Sequence, residues 1–285
     1  MKYGLIVNPI AGDTYKDDLV ELFMQTFNNG LHTVLLFETQ KSDTMHIPPF
    51  AEQPDVIVVA GGDGTVNFAA HWALYWDIPL SILPLGSANG LAAELKLGKD
   101  AEVIIDKLAK PVYSSIDVLM CNEQLCLHLA DFGFNAMIVN GFAEGSIRGQ
   151  SGYALNLLRS YRDYKSGRYR IITPTADFET EAFMLVIANG SSYGTQVVIN
   201  PDGKLNDGKF EICILKDVYG LEGLDILLSL LDHDLEDINH LQIIQTNTAR
   251  IINIGNAPFQ IDGERHNTPK ELTVYIKPNA LKVIT

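Results

Sequence analysis

A short run of glycines around one aspartate is the stretch of this chain whose residue types point most clearly to chemistry. Residues 61–65 read Gly-Gly-Asp-Gly-Thr and follow directly after 56–60, an unbroken apolar run that is mostly β-branched. Such a run is typical of a strand buried on both faces of a parallel sheet. Glycines let the backbone approach a ligand closely, and the free amides at the start of a helix point at an anion. The pattern therefore predicts a turn that binds phosphate.

Asp63 is the unusual member of this turn. A carboxylate beside phosphates would repel them unless it holds a cation or a hydroxyl group. Thr65 opens a stretch with apolar residues at helical spacing, so we expect a helix from there, and a plain strand-to-helix turn with Thr65 as its N-cap is the alternative. Two familiar phosphate loops are excluded, because the Walker A pattern needs a lysine and the dinucleotide pattern needs a third glycine where Asn67 stands.

Two other loops carry residues suited to the same task. Asn8 and Pro9 end a first predicted strand, and Gly12 allows a tight turn after them. Ser87 lies in the loop that follows a strand predicted at 80–83. Either loop alone is also explained by an ordinary turn or by the start of a helix. Because the loops follow successive strands, we expect them at one edge of a parallel sheet, where ligands bind in open α/β folds.

The elements that position these residues fall into two parts. Strands and helices alternate over 1–111, which predicts a parallel sheet with right-handed crossovers. Short β-rich runs separated by turn signals dominate 112–285, as in a sandwich or barrel. We therefore expect an α/β + β architecture, with an N-terminal Rossmann-like parallel-sheet nucleotide domain and a C-terminal β-sandwich-like domain. The last strand, 281–284, could return to the first domain.

Composition limits the class of partner. The net charge of −14 argues against nucleic acid and against general attraction to anionic membranes. Three cysteines without a Cys-x-x-Cys pair indicate a reduced, cytoplasmic compartment. The apolar run at the start is too short for a signal peptide, and no stretch approaches the ~18 apolar residues that span a bilayer. The oligomeric state is left open, with a homodimer as one option.

Together these motifs resemble those of the diacylglycerol and sphingosine lipid kinases. Residues 61–65 match the family signature in full, a signature that NAD kinases and phosphofructokinases share in part. Residues 8–12 resemble the family's Asn-Pro-x-x-Gly nucleotide loop, and 84–89 resemble its Pro-Leu-Gly-Thr/Ser-x-Asn loop. The chain departs from the usual family residues at Ala11, Phe68 and Gly90.

The resemblance implies transfer of the γ-phosphate of ATP, with Mg²⁺, to a hydroxyl of a diacylglycerol- or sphingosine-like membrane lipid. The enzyme would be cytoplasmic and would contact the membrane surface transiently during catalysis. The implied ATP-binding residues are Asn8, Pro9, Gly12, Thr39, Gly61, Gly62, Asp63, Gly64, Thr65, Asn67 and Ser87. The triplet Asp262-Gly263-Glu264, by itself a hairpin signal, would supply the catalytic base from Asp262 or Glu264. Asp63 would complete the network through a water or the metal.

A structural Mg²⁺ site is implied as well, within residues 202–209. Related bacterial enzymes use one carboxylate and two backbone carbonyls, which correspond here to Asp207, Lys204 and Lys209. Oxygen-only ligation by a loop suits Mg²⁺. Without the resemblance, Asn206-Asp207-Gly208 is simply a hairpin turn.

The segment 145–170 is basic in an otherwise acidic chain. Its residues at helical spacing predict a helix over 153–164, whose basic side could face an anionic membrane or headgroup, or only solvent. The basic residues of the segment are Arg148, Arg159, Arg162, Lys165, Arg168 and Arg170. A further helix is predicted around 221–231. Two other functions stay open: a kinase of a soluble acceptor resembling NAD kinase, and a non-catalytic lipid or nucleotide binder.

Overall fold

A computed structural model gives the fold. The residues that the structure describes are 1–9, 16–40, 45, 47–98, 100–143, 164–193, 197–216 and 240–285. Gly12, the predicted helix at 221–231 and all but the last residue of the one predicted at 153–164 lie outside them, as do Arg148, Arg159 and Arg162. The chain divides into two compact units: unit 1 is Met1–Asp117 with Pro278–Thr285, and unit 2 is Val118–Lys277.

Unit 1 is built on a parallel sheet. Its elements are β1 (Lys2–Val7), α1 (Lys16–Phe27), β2 (Thr33–Glu38), β3 (Val56–Gly61), α2 (Asp63–Trp76), β4 (Leu80–Pro84), α3 (Gly90–Glu94) and α4 (Ala101–Ala109). The strands lie in the order β2-β1-β3-β4, and each neighbouring pair is parallel. The predicted Rossmann-like sheet is confirmed.

The strands of unit 1 could be predicted from the sequence because their residues are buried. Every residue of β3 and of β4 is buried, as expected for central strands covered on both faces. Helix α1 buries Leu19, Phe23 and Phe27 against Tyr3 of β1 in one apolar core. The apolar side chains of α1 recur at helical spacing because only one of its faces meets that core.

Unit 2 contains mostly antiparallel strands. Its elements are β6 (Gln124–Cys126), β7 (Leu129–Gly133), α5 (Phe134–Ala143), β8 (Gly167–Ile172), β9 (Asp177–Ala182), β10 (Met184–Ala188), β11 (Ser192–Tyr193), β12 (Val197–Val198), β13 (Phe210–Leu215), β14 (Leu241–Thr246), β15 (Thr248–Asn253), β16 (Phe259–Ile261) and β17 (Glu264–His266). Two further strands are shared with unit 1: β5 (Tyr113–Cys121) and β18 (Glu271–Ile284).

Two antiparallel sheets enclose the core of unit 2. One has the order β14-β13-β10-β7-β16-β17, and the other continues from β18 through β15 and β8 to β9. Fully buried side chains from both sheets, such as Phe132, Ile212, Tyr169 and Ile251, share one hydrophobic cluster. The predicted β-sandwich is confirmed.

The structure differs from the sequence prediction at several local points. Helix α2 begins at Asp63, two residues before the predicted start, and Gly62 is its N-cap instead of Thr65. The apolar run 182–188 predicts one strand from the sequence, but the structure divides it between β9 and β10, which Phe183 separates. Helix α5 and strand β8 were not predicted. Arg168 and Arg170, at the described end of the basic segment, lie on β8 in ion pairs with acidic side chains of β9.

None of the helices in the described ranges is long and apolar enough to cross a bilayer.

Candidate active site

The loops after β1, β2, β3 and β4 lie at the same edge of the sheet of unit 1, since the four strands run in one direction. Backbone hydrogen bonds continue past the strand ends. The Asn8 amide donates to the Ala60 carbonyl at 3.0 Å, and the Thr39 amide donates to the Val7 carbonyl at 2.8 Å. These bonds place two predicted ATP-binding residues, Asn8 and Thr39, at the edge where the glycine-rich turn begins.

A side-chain hydrogen bond joins the Asn-Pro loop to the glycine-rich turn. Asn8 Nδ2 donates to Thr65 Oγ1 at 3.3 Å. Thr65 is only 8% exposed and lies inside the first turn of α2, which begins at Asp63. A Cβ added at Gly61 would lie 2.6 Å from Thr65 Cβ. Gly61 is therefore required by the packing of the first turn of α2 onto the strand end, whatever ligand binds there.

The turns after β3 and β4 pack backbone against backbone. A Cβ added at Gly86 would lie 2.4 Å from Gly62 Cα, and one added at Gly62 would lie 3.2 Å from Gly86 Cα. Only two glycines allow main chains to approach so closely. The sequence explained Gly62 by contact with phosphate alone, and the structure adds this second requirement.

Asp63 connects the same two turns. Its Oδ1 accepts a hydrogen bond from the Gly90 amide at 2.7 Å. Asn89, with φ 53°, folds back on Gly86: the Gly86 amide donates to Asn89 Oδ1 at 2.8 Å, and Asn89 Nδ2 donates to the Gly86 carbonyl at 2.6 Å. A carboxylate is stable here because it accepts from the first amide of α3 and itself lies in the first turn of α2. This arrangement explains an acid within a phosphate-binding type of turn.

The remaining predicted ATP-binding residues of unit 1 differ in exposure. Pro9 and Ser87 are exposed, whereas Gly64 and Asn67 are partly buried near the start of α2. Phe68, which departs from the family's usual glutamate, is 8% exposed and stacks on Phe37 with a centroid distance of 5.9 Å. Phe68 is therefore a packing residue.

In unit 2, the turn between β16 and β17 carries Asp262, which adopts φ 48°. Its carboxylate accepts hydrogen bonds from the amides of Leu127, His128 and Leu129, at 2.8, 2.9 and 3.1 Å. The Asp262 amide donates to the Leu129 carbonyl at 2.9 Å. With both carboxylate oxygens accepting from the backbone, Asp262 anchors the turn to the segment before β7.

Glu264 differs from Asp262 in its surroundings. It is exposed on β17, where it pairs in register with Ile261. Nearby, burial lowers the pKa of His266 from its ordinary value of 6.5, against the opposing effect of the Asp262 charge. Of the two carboxylates expected to act as base, Glu264 is thus the one placed to meet a ligand from solvent.

Sequence reasoning missed a buried polar group in β7. Asp131 is 0% exposed, and its Oδ2 accepts from Asn135 Nδ2 at 2.7 Å and from Gln260 Nε2. The Gly263 amide donates to Gln260 Oε1 at 2.7 Å, so this network also holds the Asp-Gly-Glu turn. A lone acid inside an apolar strand run was the signal that could have revealed it, because an unsatisfied buried carboxylate is costly.

The predicted metal residues lie in an exposed turn before β13. Asp207 Oδ1 accepts from the Lys209 amide at 3.0 Å, and Gly208 has φ 73°. One carboxylate with the carbonyls of Lys204 and Lys209 is an oxygen-only set, which fits a Mg²⁺ ion that keeps several waters. Across the described part of the chain, no cluster of three or more His, Cys, Asp or Glu side chains is placed to hold a metal ion. The magnesium site stays a prediction.

Comparison with known proteins places the chain in a family. The protein-family model described as "Diacylglycerol kinase catalytic domain" matches residues 2–121. The model described as "YegS C-terminal NAD kinase beta sandwich-like domain" matches residues 130–285. The chain belongs to the diacylglycerol kinase and YegS-like lipid kinase family. It is a kinase of this family.

Individual members of the family resemble the chain over most of its length. The diacylglycerol kinase of Bacillus subtilis is 26% identical, with 91% of this chain and 88% of the relative covered. A YegS-like lipid kinase of Chromohalobacter salexigens is 26% identical over 82% of this chain and 78% of its own. A solved diacylglycerol kinase structure from Bacillus anthracis shares the fold at 20% identity, with a TM-score of 0.73 and coverage of 99% and 96%.

Proposed function

We propose that this kinase transfers the γ-phosphate of ATP to a hydroxyl group of a membrane lipid, diacylglycerol- or sphingosine-like in kind. The observation that carries the proposal is the junction of three loops at one sheet edge. The Asn8–Thr65 bond, the contact of Gly62 with Gly86 and the Asp63–Gly90 bond hold these loops together. Their backbone amides at the start of α2 suit the phosphates of a nucleotide.

The acceptor side of the reaction needs a carboxylate near the lipid hydroxyl. We assign the proton acceptor to Glu264, because it is exposed while Asp262 is bound by three amides. Asp262 then holds the turn that carries the base. Mg²⁺ bound with ATP would neutralise charge on the phosphates, and a structural Mg²⁺ would be held by Asp207 with the carbonyls of Lys204 and Lys209. Phosphoryl transfer depends mainly on such positioning and electrostatics.

The direct test is transfer of label from radiolabelled ATP to a panel of diacylglycerol, sphingosine, ceramide and phosphatidylglycerol in mixed micelles. NAD serves as the soluble acceptor, and the Asp63→Asn protein serves as the inactive control. We expect a labelled lipid phosphate with at least one lipid and none with NAD. Label found only on NAD, or on no acceptor at all, would overturn the proposal.

A soluble acceptor is the second candidate. The match of residues 130–285 to a β-sandwich described as NAD kinase-like favours it. In that case NAD would be phosphorylated and the lipid panel would not.

A further inference from the structure

Strand β13 contains a buried acid that no part of the reaction above uses. Glu211 is 3% exposed, in a strand whose residues are all buried. Its Oε2 accepts from Asn200 Nδ2 at 2.6 Å, and its Oε1 accepts from Gln245 Nε2 at 2.9 Å. An apolar side chain at this position would avoid the cost of burying a charge. Packing alone therefore does not explain the carboxylate.

The hydrogen bonds around Glu211 form a chain with a fixed direction. Lys209 Nζ donates to Gln245 Oε1 at 2.8 Å, so the Gln245 amide group must turn its nitrogen towards Glu211. On the other side, Asn200 Nδ2 also donates to the Gly190 carbonyl at 3.1 Å. The Lys209 ammonium therefore orients the Gln245 amide group, and the Gly190 carbonyl orients that of Asn200. Both amide groups point an NH₂ group at residue 211, so two acceptor oxygens are needed there.

This network of hydrogen bonds around Glu211 holds both ends of the turn that carries the predicted magnesium ligands. At one end, the Gly203 amide donates to the Asn200 carbonyl at 3.0 Å. A Cβ at Gly203 would lie 2.4 Å from Asn200 Nδ2 and 2.7 Å from the Gly190 carbonyl oxygen, so the turn is packed directly on the network. At the other end, Lys209 is attached through its hydrogen bond to Gln245. Asp207 lies in the turn between Gly203 and Lys209.

We propose that Glu211 is a positioning residue for the magnesium site. Its carboxylate orders Asn200 and Gln245, and these side chains hold the turn so that Asp207 and the carbonyls of Lys204 and Lys209 can bind one ion. The inference rests on the metal site included in the proposed function. It adds a residue that touches neither the metal nor the substrates.

Glutamine at position 211 tests this role with little change of shape. It offers one acceptor oxygen where two are needed, so an NH₂ group would face another NH₂ group. Partners of this kind, one shell beyond the metal ligands, typically change metal affinity by about 10- to 100-fold. The measurement is isothermal titration of the protein with Mg²⁺ or Mn²⁺ alone, without ATP or lipid, together with thermal unfolding.

We expect Glu211→Gln to weaken metal binding about 10-fold or more while the protein stays folded. Gln245→Ala, at an exposed position of β14, should weaken binding as well, and it serves if the first variant fails to fold. The matched control is Glu271→Gln, which removes one charge from an exposed ion pair with Arg250. It should bind metal normally, whereas Asp207→Asn should abolish binding.

Metal binding by Glu211→Gln and Gln245→Ala equal to that of the unsubstituted protein would overturn the proposal. So would an absence of metal binding by the unsubstituted protein. Neither result decides the lipid acceptor, because label transfer from ATP is measured separately. An unsubstituted protein that binds metal but labels no lipid would leave Glu211 in its role and overturn the proposed function.

Discussion

The two aspartates that the sequence marked for catalysis are both held by backbone amides. Asp63 accepts from Gly90 and joins two turns, and Asp262 accepts from three consecutive amides. The sequence showed where these acids stand but not their partners, because the partners are distant in the chain and are backbone groups without a residue signature. The buried acids Asp131 and Glu211 were not predicted for a different reason. They accept from amide side chains, most of them distant in the sequence: Asn135 and Gln260 for Asp131, and Asn200 and Gln245 for Glu211.

Substitution of Asp63 by asparagine separates its two roles. Asparagine keeps an oxygen that can accept from the Gly90 amide, so the fold should persist, while the charge that would act on Mg²⁺ or ATP is lost. We expect turnover to fall by about 100-fold or more. Asp63→Ala should lose the hydrogen bond too, at a cost of about 1 kcal/mol in unfolding free energy. Kinase assays and thermal unfolding measure the two effects, and near-normal turnover by folded Asp63→Asn protein would rule out the catalytic role.

A second pair of variants distinguishes base from anchor in unit 2. Glu264→Gln should lower kcat by about 100-fold or more, because the carboxylate that accepts the proton is lost, and because Glu264 is exposed its replacement should cost less unfolding free energy than that of Asp262. Asp262→Ala should lower the unfolding free energy by about 3 kcal/mol, because three amides lose their acceptor. Denaturant unfolding and steady-state kinetics decide between them. Normal kcat in the Glu264→Gln protein would return the role of base to Asp262.

His266 gives the protein a pH-dependent stability. Burial lowers its pKa in the folded state from the ordinary 6.5, so the unfolded state binds the proton more tightly. The free energy of unfolding should therefore fall as the pH drops from about 6.5 through the lower folded-state pKa. His266→Gln should give a shallower slope in this window when unfolding is followed at a series of pH values. An unchanged slope would show that other groups cause the dependence.

Among the elements, the central strands were the most predictable and the loops between them the least. The apolar run of β3 identifies a strand because both of its faces are covered. The early start of α2 was missed because Thr65 looks like a cap in the sequence but is buried against Gly61. Strand β9 alternates polar and apolar residues next to the apolar β10, and the sequence pattern merged its end with that neighbour.

The close contact between the turns after β3 and β4 predicts an order of glycine sensitivity. Gly86→Ala places a Cβ 2.4 Å from Gly62 Cα, against 3.2 Å for the reverse substitution, so we expect Gly86→Ala to be the more destabilising. Its cost should be about 2 kcal/mol or more, since main chain must move. Gly98→Ala is the control, because its Cβ would meet nothing within 4 Å. Equal midpoints of denaturation for all three variants would contradict the packing described.

At the scale of the whole molecule, unit 1 depends on residues that follow unit 2 in the chain. Strand β18 pairs with β15 in unit 2 and, through Val283 and Leu80, with β4 in unit 1. The Asn279 amide donates to the carboxylate of Asp117, at the other point where the chain passes between the units. The sequence predicted a strand at 281–284, but only the structure shows that Glu271–Ile284 form one continuous strand.

Removal of residues 278–285 should destabilise unit 1. Leu281, Val283 and Ile284 are at most 3% exposed, and burying each contributes about 1.5–3 kcal/mol at most. The two tryptophans, Trp72 and Trp76, both lie in α2, so their fluorescence reports the unfolding of unit 1. We expect a shift of this transition to lower denaturant. Lys282→Ala, which removes only an exposed ion pair with Asp77, is the control and should shift it little.

The same strand sets an order of events on the ribosome. The parallel sheet of unit 1 is translated first, yet the strand that covers the edge of β4 is completed after all of Val118–Lys277. At about 5–20 residues per second, the interval is roughly 10 to 30 s. Through that time the nascent chain presents an unpaired strand edge, the kind of surface that chaperones shield and that aggregates recruit. Slow synthesis of unit 2 should therefore prolong the exposure of unit 1.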